Sequence, residues 1–170
     1  MTIGFYNVIW RLLRPFIPIL LYWRSLKGKE KVGRISDRYG QPHFDTTIVG
    51  AIWLHSVSVG ETIAAISLIK ALAAIKPNAR FLITTNTISA AAVVEAEIAN
   101  GLRLSHAFQP LDHPKFVDRF LIQIEPCIAI FLESDFWPNL VSRTAKKSIP
   151  VVFASSQLSE TAYNRWAKIP

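Results

Sequence analysis

The sequence predicts an α/β fold with a parallel sheet covered by helices on both faces, on three observations. Short apolar runs of strand length alternate with segments of helical periodicity, Pro and Gly fall at the joints, and 51% of the 170 residues are hydrophobic. Repeated strand and helix alternation requires crossover connections and so a parallel sheet, and a chain this apolar has material for a core.

Residues 1–40 stand apart as a leader, and residues 41–170 are expected to form one folded domain. The leader opens on an apolar stretch that includes Phe5, Trp10, Leu13, Ile17, Leu21, Tyr22 and Trp23, interrupted by Arg11, Arg14, Pro15 and Pro18. After Arg14 the longest uncharged run is nine residues, against about 20 needed to cross the hydrocarbon core of a bilayer. The expectation is an apolar helix lying in the headgroup region, with Trp10, Tyr22 and Trp23 at interfacial depth and the Lys/Arg run from Arg24 to Arg38 on anionic lipid phosphates. The competing reading is a helix packed on the rest of the protein.

Beyond a linker at residues 40–47, Ile48 to His55 has the pattern of a buried strand. Glu61 to Lys76 has that of a helix, with Ile63, Ile66, Ile69 and Leu72 on one stripe and Pro77 as the stop. The unit then recurs. Arg80 to Thr85 is a strand, Ser89 to Asn100 a helix closed by Gly101, Leu102 to Phe108 a strand, and Pro114 to Ile124 a helix. Cys127 to Leu132 is a fourth strand, Pro138 to Lys146 a helix, and Pro150 to Ala154 a fifth strand.

Charge narrows the function classes. Of a formal net charge of +7, the first 40 residues hold +6. A nucleic-acid footprint spread over a domain face is therefore not expected. The single cysteine, Cys127, cannot form an internal disulfide, which favours a reducing compartment, and its apolar neighbours predict a buried thiol. The four His lack metal-ligand spacing, so no metal is expected.

In parallel sheets ligands bind beyond the carboxyl ends of the strands, where loops and helix amino termini converge. That edge is predicted to carry residues 56–61, 84–89, 109–113, 133–137 and 155–159, and with them Glu61, Glu133 and Asp135. In the turn HSVSVGE, Gly60 would let the backbone turn tightly and Glu61 would fall in the first helical turn, where the helix dipole favours a negative charge. A positioned carboxylate can take a proton from an attacking alcohol; the alternative is a Glu that only caps its own helix. The turn lacks a dinucleotide fingerprint, a P-loop lysine and a nucleophile elbow, so dehydrogenase, kinase and hydrolase chemistry lose ground. In FLESDFWPN, Glu133 follows an apolar strand, Asp135 is a candidate cap, Trp137 a candidate core residue, and Pro138 can open a helix. Thr84, Thr85 and Thr87 add hydroxyls near the same edge.

In order, HSVSVGE, FLITTNT, PLDHP, FLESDFWPNL and IPVVFASSQLSE resemble the 3-deoxy-D-manno-octulosonic acid (Kdo) transferases of lipopolysaccharide synthesis over nearly the whole chain, the apolar leader included. The resemblance implies the amino-terminal, acceptor-binding half of a GT-B glycosyltransferase with two Rossmann-like domains. It implies transfer of Kdo from CMP-Kdo to a glucosamine hydroxyl of the lipid A precursor, lipid IVA, at the cytoplasmic face of the cell inner membrane, with inversion and without a cofactor. It further implies Glu61 as general base and Glu133 as an aid to the transition state, with Ser58, Gly60, Thr85 and Asp135 as substrate-binding candidates. Ser155, Ser156 and Gln157 stand where the family often has Asn-Ala-Arg, which removes a cation, and Ile88 to Ala90 replace a common Pro-Thr-Gly. The implied donor-binding domain does not occur within residues 1–170, so these residues alone are expected to be inert. The rival class is a membrane-bound module that holds the lipid acceptor without chemistry.

Overall fold

The computed structural model describes residues 2–132 and 137–154. Five parallel strands form one sheet: β1 (Ile52–Ser56), β2 (Phe81–Thr85), β3 (Ser105–Phe108), β4 (Ile128–Phe131) and β5 (Val151–Phe153), in the order β3-β2-β1-β4-β5. The connecting helices are α4 (Val59–Ile75), α5 (Ile88–Ala99), α6 (Pro114–Ile124) and α7 (Pro138–Lys146), preceded by α1 (Ile3–Leu13), α2 (Ile17–Leu26) and a short α3 (Ile35–Arg38). The register sets His55 beside Thr84 on one flank and Phe131 on the other, Thr85 beside Phe108, and Phe131 beside Phe153, so the carboxyl ends of all five strands lie in one row.

Two apolar layers sandwich the sheet. On one face Trp53, Leu82, Ala129 and Phe131 meet Val117, Phe120, Leu121 and Ile124 of α6 and Leu140 of α7. On the other, Leu54, Ile83 and Ile130 meet Ala65, Ile66 and Ile69 of α4 and Val94 of α5. Each large side chain so buried contributes about 1.5–3 kcal/mol. The indole of Trp53 is fully buried, and its N–H donates to Thr84 Oγ1 at 2.8 Å, so the polar handle is satisfied inside the core.

The expected elements are present with shifted ends. The first strand starts at Ile52 instead of Ile48, because residues 48–51 form a turn: Gly50 sits at φ +77°, Ala51 N–H donates to Ile48 O, and Gly50 N–H donates to Glu125 O. The stripe expected on α4 is also corrected. Ile66 and Ile69 are buried but Ile63 is 54% exposed, and the face that packs runs through Thr62, Ala65, Ile66 and Ile69. Cys127 is exposed, not buried, since it stands just ahead of β4 at the opposite edge of the sheet from the strand ends. Gly101 does close α5, at φ +92°, with Leu102 N–H donating back to Glu97 O.

The apolar contact of α1 and α2 with the domain is one narrow stripe. Ile17 and Leu21, one turn apart on α2, pack on Phe116 of α6, and Trp10 rests edge-on against His113. The other sides of α1 and α2 face solvent: Phe5, Leu12, Phe16, Ile19, Tyr22, Trp23 and Leu26 are all more than half exposed. Arg14, Pro15 and Phe16 form a 3-10 turn between the two helices, as expected where prolines remove backbone donors. No helix among the described residues is long and apolar enough to cross a membrane.

Four of the six cations in the basic run are engaged within the protein. Arg24 and Arg38 both bind Glu30, Arg34 binds Asp37, and Lys31 binds Glu95 of α5. Arg38 is 2% exposed and reaches the loops after β2 and β3, donating to Asn86 Oδ1, Asn86 O and Gln109 O at 2.8–3.0 Å. Asp37 accepts the backbone N–H of Phe108 at 2.9 Å. Gly40 completes the junction at φ +74°; a Cβ there would lie 1.9 Å from Phe116 O, so only glycine fits.

Beside this network His106 is nearly buried, with Nδ1 at 2.9 Å from Arg34 and Nε2 at 2.9 Å from Thr85 Oγ1. A guanidinium can only donate, so Nδ1 accepts and the ring proton sits on Nε2. Burial, and then the charges of Arg34, Lys31 and Arg38, push the imidazole pKa down to about 3. An unfolded chain takes up this proton near pH 6.5. The stabilising contribution is thus complete above pH 6.5 and is lost as pH falls towards 3, at about 1.4 kcal/mol per pH unit. Asp112, raised to about 6 chiefly by burial, acts with the opposite sign between pH 6 and 3.8. The His106 contribution is therefore isolated by difference: the gap in unfolding free energy between wild type and His106→Gln, from urea titrations, should narrow steadily from pH 6.5 to 4. Parallel pH profiles would contradict this assignment.

Candidate active site

The strand order places β1 at the centre, with β2 and β3 to one side and β4 and β5 to the other. Chain direction across the sheet reverses between β1 and β4, and the crevice at such a switch point is where open parallel sheets hold ligands. Glu61 follows β1 and therefore stands at this crevice.

The turn that carries it is built by its own hydroxyls and amides. Ser58 is the N-cap of α4, and its Oγ accepts Glu61 N–H at 3.3 Å. In return Glu61 Oε2 accepts Val57 N–H at 2.8 Å and Ser58 N–H at 3.2 Å, a reciprocal capping box. Behind it the Thr62 hydroxyl donates to Ser58 O at 2.8 Å, and Ser56 Oγ lies 2.9 Å from Thr62 Oγ1. Glu61 thus does cap its helix, but with a single oxygen. Its Oε1 takes no hydrogen bond among the described residues, and the residue is half-buried.

Gly60 does not have the role expected of it. It is an ordinary helical residue without a positive φ, so the turn does not depend on its freedom. A Cβ there would meet nothing within 4 Å; what the glycine does is leave open space one residue from the carboxylate. Thr85 is fully buried and its hydroxyl is paired with His106, so it supports the strand end instead of facing the rim. Thr84 Oγ1, equally buried, sits between the Trp53 indole and His55 Nδ1, each at 2.8 Å. Thr87 caps α5 by accepting Ala90 N–H. Glu133 and Asp135 lie outside the described residues; Leu132, which precedes Glu133 in the chain, donates its N–H to His55 O at 2.9 Å. Trp137 packs against the core, as expected of it.

Sequence reasoning passed over Asp112, which organises the far side of this edge. Buried at 1% exposure, it accepts Asn139 N–H at 3.0 Å and Leu140 N–H at 2.8 Å, so it caps α7, while its own backbone oxygen accepts from the Asn139 side chain. Tyr6 of α1 donates its hydroxyl to the same carboxylate at 2.9 Å, and burial with the nearby negative charge pushes the phenol up to about 12. Asp112 lies in the PLDHP segment, and its partner Asn139 is 27 residues downstream. Among the described residues no group of three His, Cys, Asp or Glu side chains could hold a metal ion. A cavity of about 630 Å3 opens between the starts of β2 and β3, around Arg80, Phe81, Leu104 and Ser105, at the edge opposite Glu61.

Five parallel strands in this order, with a carboxylate at the switch point, define a Rossmann-like domain of the α/β class. Residues 28–170 match the family model described as 3-deoxy-D-manno-octulosonic-acid transferase (kdotransferase), and the chain belongs to that family. It is 35% identical over 153 residues to a protein of Arabidopsis thaliana named "probable 3-deoxy-D-manno-octulosonic acid transferase, mitochondrial", covering 90% of this chain and 34% of that one. It is 30% identical over 159 residues to the 3-deoxy-D-manno-octulosonic acid transferase of Rickettsia bellii, covering 92% of this chain and 37% of the relative. The enzyme of the same name from Haemophilus influenzae is 30% identical over 166 residues, 97% of this chain and 38% of the relative. The chain thus spans little more than a third of the length of these relatives.

Proposed function

We propose that these residues form the acceptor-binding part of an inverting glycosyltransferase that moves Kdo from CMP-Kdo to a hydroxyl of the lipid A precursor, lipid IVA. The observation that carries this reading is Glu61: a switch-point carboxylate fixed through Oε2 while Oε1 remains free, in a chain of the Kdo transferase family. As the acceptor oxygen attacks the anomeric carbon of Kdo, the Glu61 carboxylate takes the hydroxyl proton. The bond from that carbon to the CMP phosphate breaks, and CMP departs with the electron pair. Because CMP is a good leaving group, the protein must chiefly supply a base, orientation and charge stabilisation. Glu133 is assigned to the last of these. Ser58 and the open space at Gly60 border the acceptor, Asp135 is kept as a binding residue, and Thr85 acts from behind by fixing the end of β2.

The exposed apolar sides of α1 and α2 support placement of this domain on a membrane surface, proposed as the cytoplasmic face of the inner membrane. The test joins residues 1–170 to a donor-binding half taken from a relative, and supplies labelled CMP-Kdo and lipid IVA in vesicles. Transfer by the joined protein and none by residues 1–170 alone is the expected result. Transfer by residues 1–170 alone would contradict the division of labour. Lipid binding by the joined protein without turnover would replace the enzyme with a binding module.

A further inference from the structure

A basin of about 480 Å3 opens where the leader crosses the domain, and its wall is unusually cationic. Arg11 and Arg14 enter from the leader, Lys115 from the first turn of α6, and Arg143 from α7, with Asp118 as the only carboxylate among the described residues of the lining. Asp118 is already engaged by Arg143. Arg11, Arg14 and Lys115 make no ion pair among the described residues, in contrast to Arg24, Lys31, Arg34 and Arg38 of the same leader, which are all paired. Like charges gathered without partners repel one another, so their grouping calls for an anion.

The floor of the basin has the same character. His113 is 3% exposed and caps α6, its Nδ1 accepting Lys115 N–H at 3.2 Å; its Nε2 is buried without a hydrogen-bond partner among the described residues. With Nδ1 accepting, the ring proton sits on Nε2, and this donor is unused. Burial lowers the pKa of this imidazole, and Arg14, Lys115, Arg143 and Arg11 lower it further, so all four cations act on one spot. Pro114 at the start of α6 leaves the positive end of the helix dipole facing the same side.

What surrounds the basin narrows the anion further. Leu12, Leu13 and Phe16, each about half or more exposed, flank Arg11 and Arg14 along the chain. We propose that this basin is a subsite for the phosphomonoester of an amphiphile, whose phosphate sits among Arg11, Arg14, Lys115 and Arg143 while its acyl chains lie along the exposed side of α1. The loop from β3 to α6 that holds His113 ends at the same sheet edge as Glu61. An amphiphile held by its phosphate here is therefore presented on the side where the carboxylate waits. The inference deepens the transferase reading and rests on it only for the identity of the amphiphile.

The test is partition of the full chain onto phosphatidylcholine vesicles doped with either hexadecyl phosphate, a monoester, or phosphatidylglycerol, a diester, at matched surface charge. Wild type should prefer the monoester. Arg14→Gln with Lys115→Gln should weaken binding to the monoester vesicles about tenfold more than Lys27→Gln with Lys29→Gln, which removes the same charge from an exposed stretch outside the basin. The two pairs should weaken binding to the diester vesicles alike. Equal losses on the monoester, or no monoester preference in wild type, would reduce the basin to diffuse surface charge and overturn the proposal. If the double variant does not fold, judged by its circular dichroism, Lys115→Gln alone should still show about a threefold loss confined to the monoester. Loss of discrimination with sugar transfer intact would remove this subsite and leave the enzyme; discrimination without transfer would do the reverse.

Discussion

Glu61→Gln, introduced into the joined two-domain protein, is expected to lower kcat for Kdo transfer by about 10²–10⁴-fold while leaving the fold in place. The observed cap and the proposed proton acceptance separate at the amide. A capping box accepts Gln as readily as Glu, because either offers an oxygen to the N-cap amides, here Val57 N–H and Ser58 N–H. The cost in unfolding free energy should therefore stay within about 1 kcal/mol. What the amide cannot do is accept a proton at the free position. Glu61→Ala, which loses both roles, should show the same fall in kcat together with a measurable loss of stability. Near-normal turnover by Glu61→Gln would leave the residue as a helix cap and nothing more.

That separation shows where sequence was sufficient and where it was not. The α/β alternation was legible because each joint is marked chemically: Pro114 and Pro138 open their helices at the positions expected of them, and Gly101 closes α5. Boundaries blurred where apolar residues run through a turn, as at residues 48–51, since hydropathy alone does not report Gly50 at φ +77°. The buried stripe of α4 was misplaced because the helix is apolar almost all round, and Thr62 and Ala65 carry no hydropathic signal strong enough to mark the inner face.

Charge was the least legible quantity. A local count treats the cations of residues 24–38 as one basic run, yet Arg38 finds partners 48 and 71 residues away and Lys31 finds one 64 residues away. Only the fold distinguishes these paired cations from Arg11, Arg14 and Lys115. For the site, Glu61 and its cap were readable from HSVSVGE because all their bonds are local. Asp112 was not, because its partners Tyr6 on α1 and Asn139 and Leu140 on α7 are brought in from two elements far from it in the chain.

Arg38→Ala is expected to cost about 3–5 kcal/mol of unfolding free energy, a large share of the roughly 5–15 kcal/mol that holds a domain of this kind together. Its guanidinium is 3% exposed, is bonded to Glu30 at 2.9 Å, and makes three further bonds to Asn86 and Gln109. Truncation leaves Glu30 with Arg24 alone and strands two backbone oxygens in a site that Phe108 seals from below. Lysine cannot restore the arrangement, because a single ammonium does not span a carboxylate and two separate loops in the way a planar fork does. Arg38→Lys should accordingly recover less than half of the loss. Urea unfolding with an unchanged m-value would measure both. The same substitution should weaken sugar transfer even at temperatures where the protein stays folded, since Asn86 and Gln109 belong to the edge that carries Glu61. A loss below about 1 kcal/mol would mean that the leader is an appendage and that the edge loops hold themselves. A loss in the expected range would make residues 30–40 part of the machinery that shapes the cleft, through a cation whose formal charge, read locally, pointed towards the membrane.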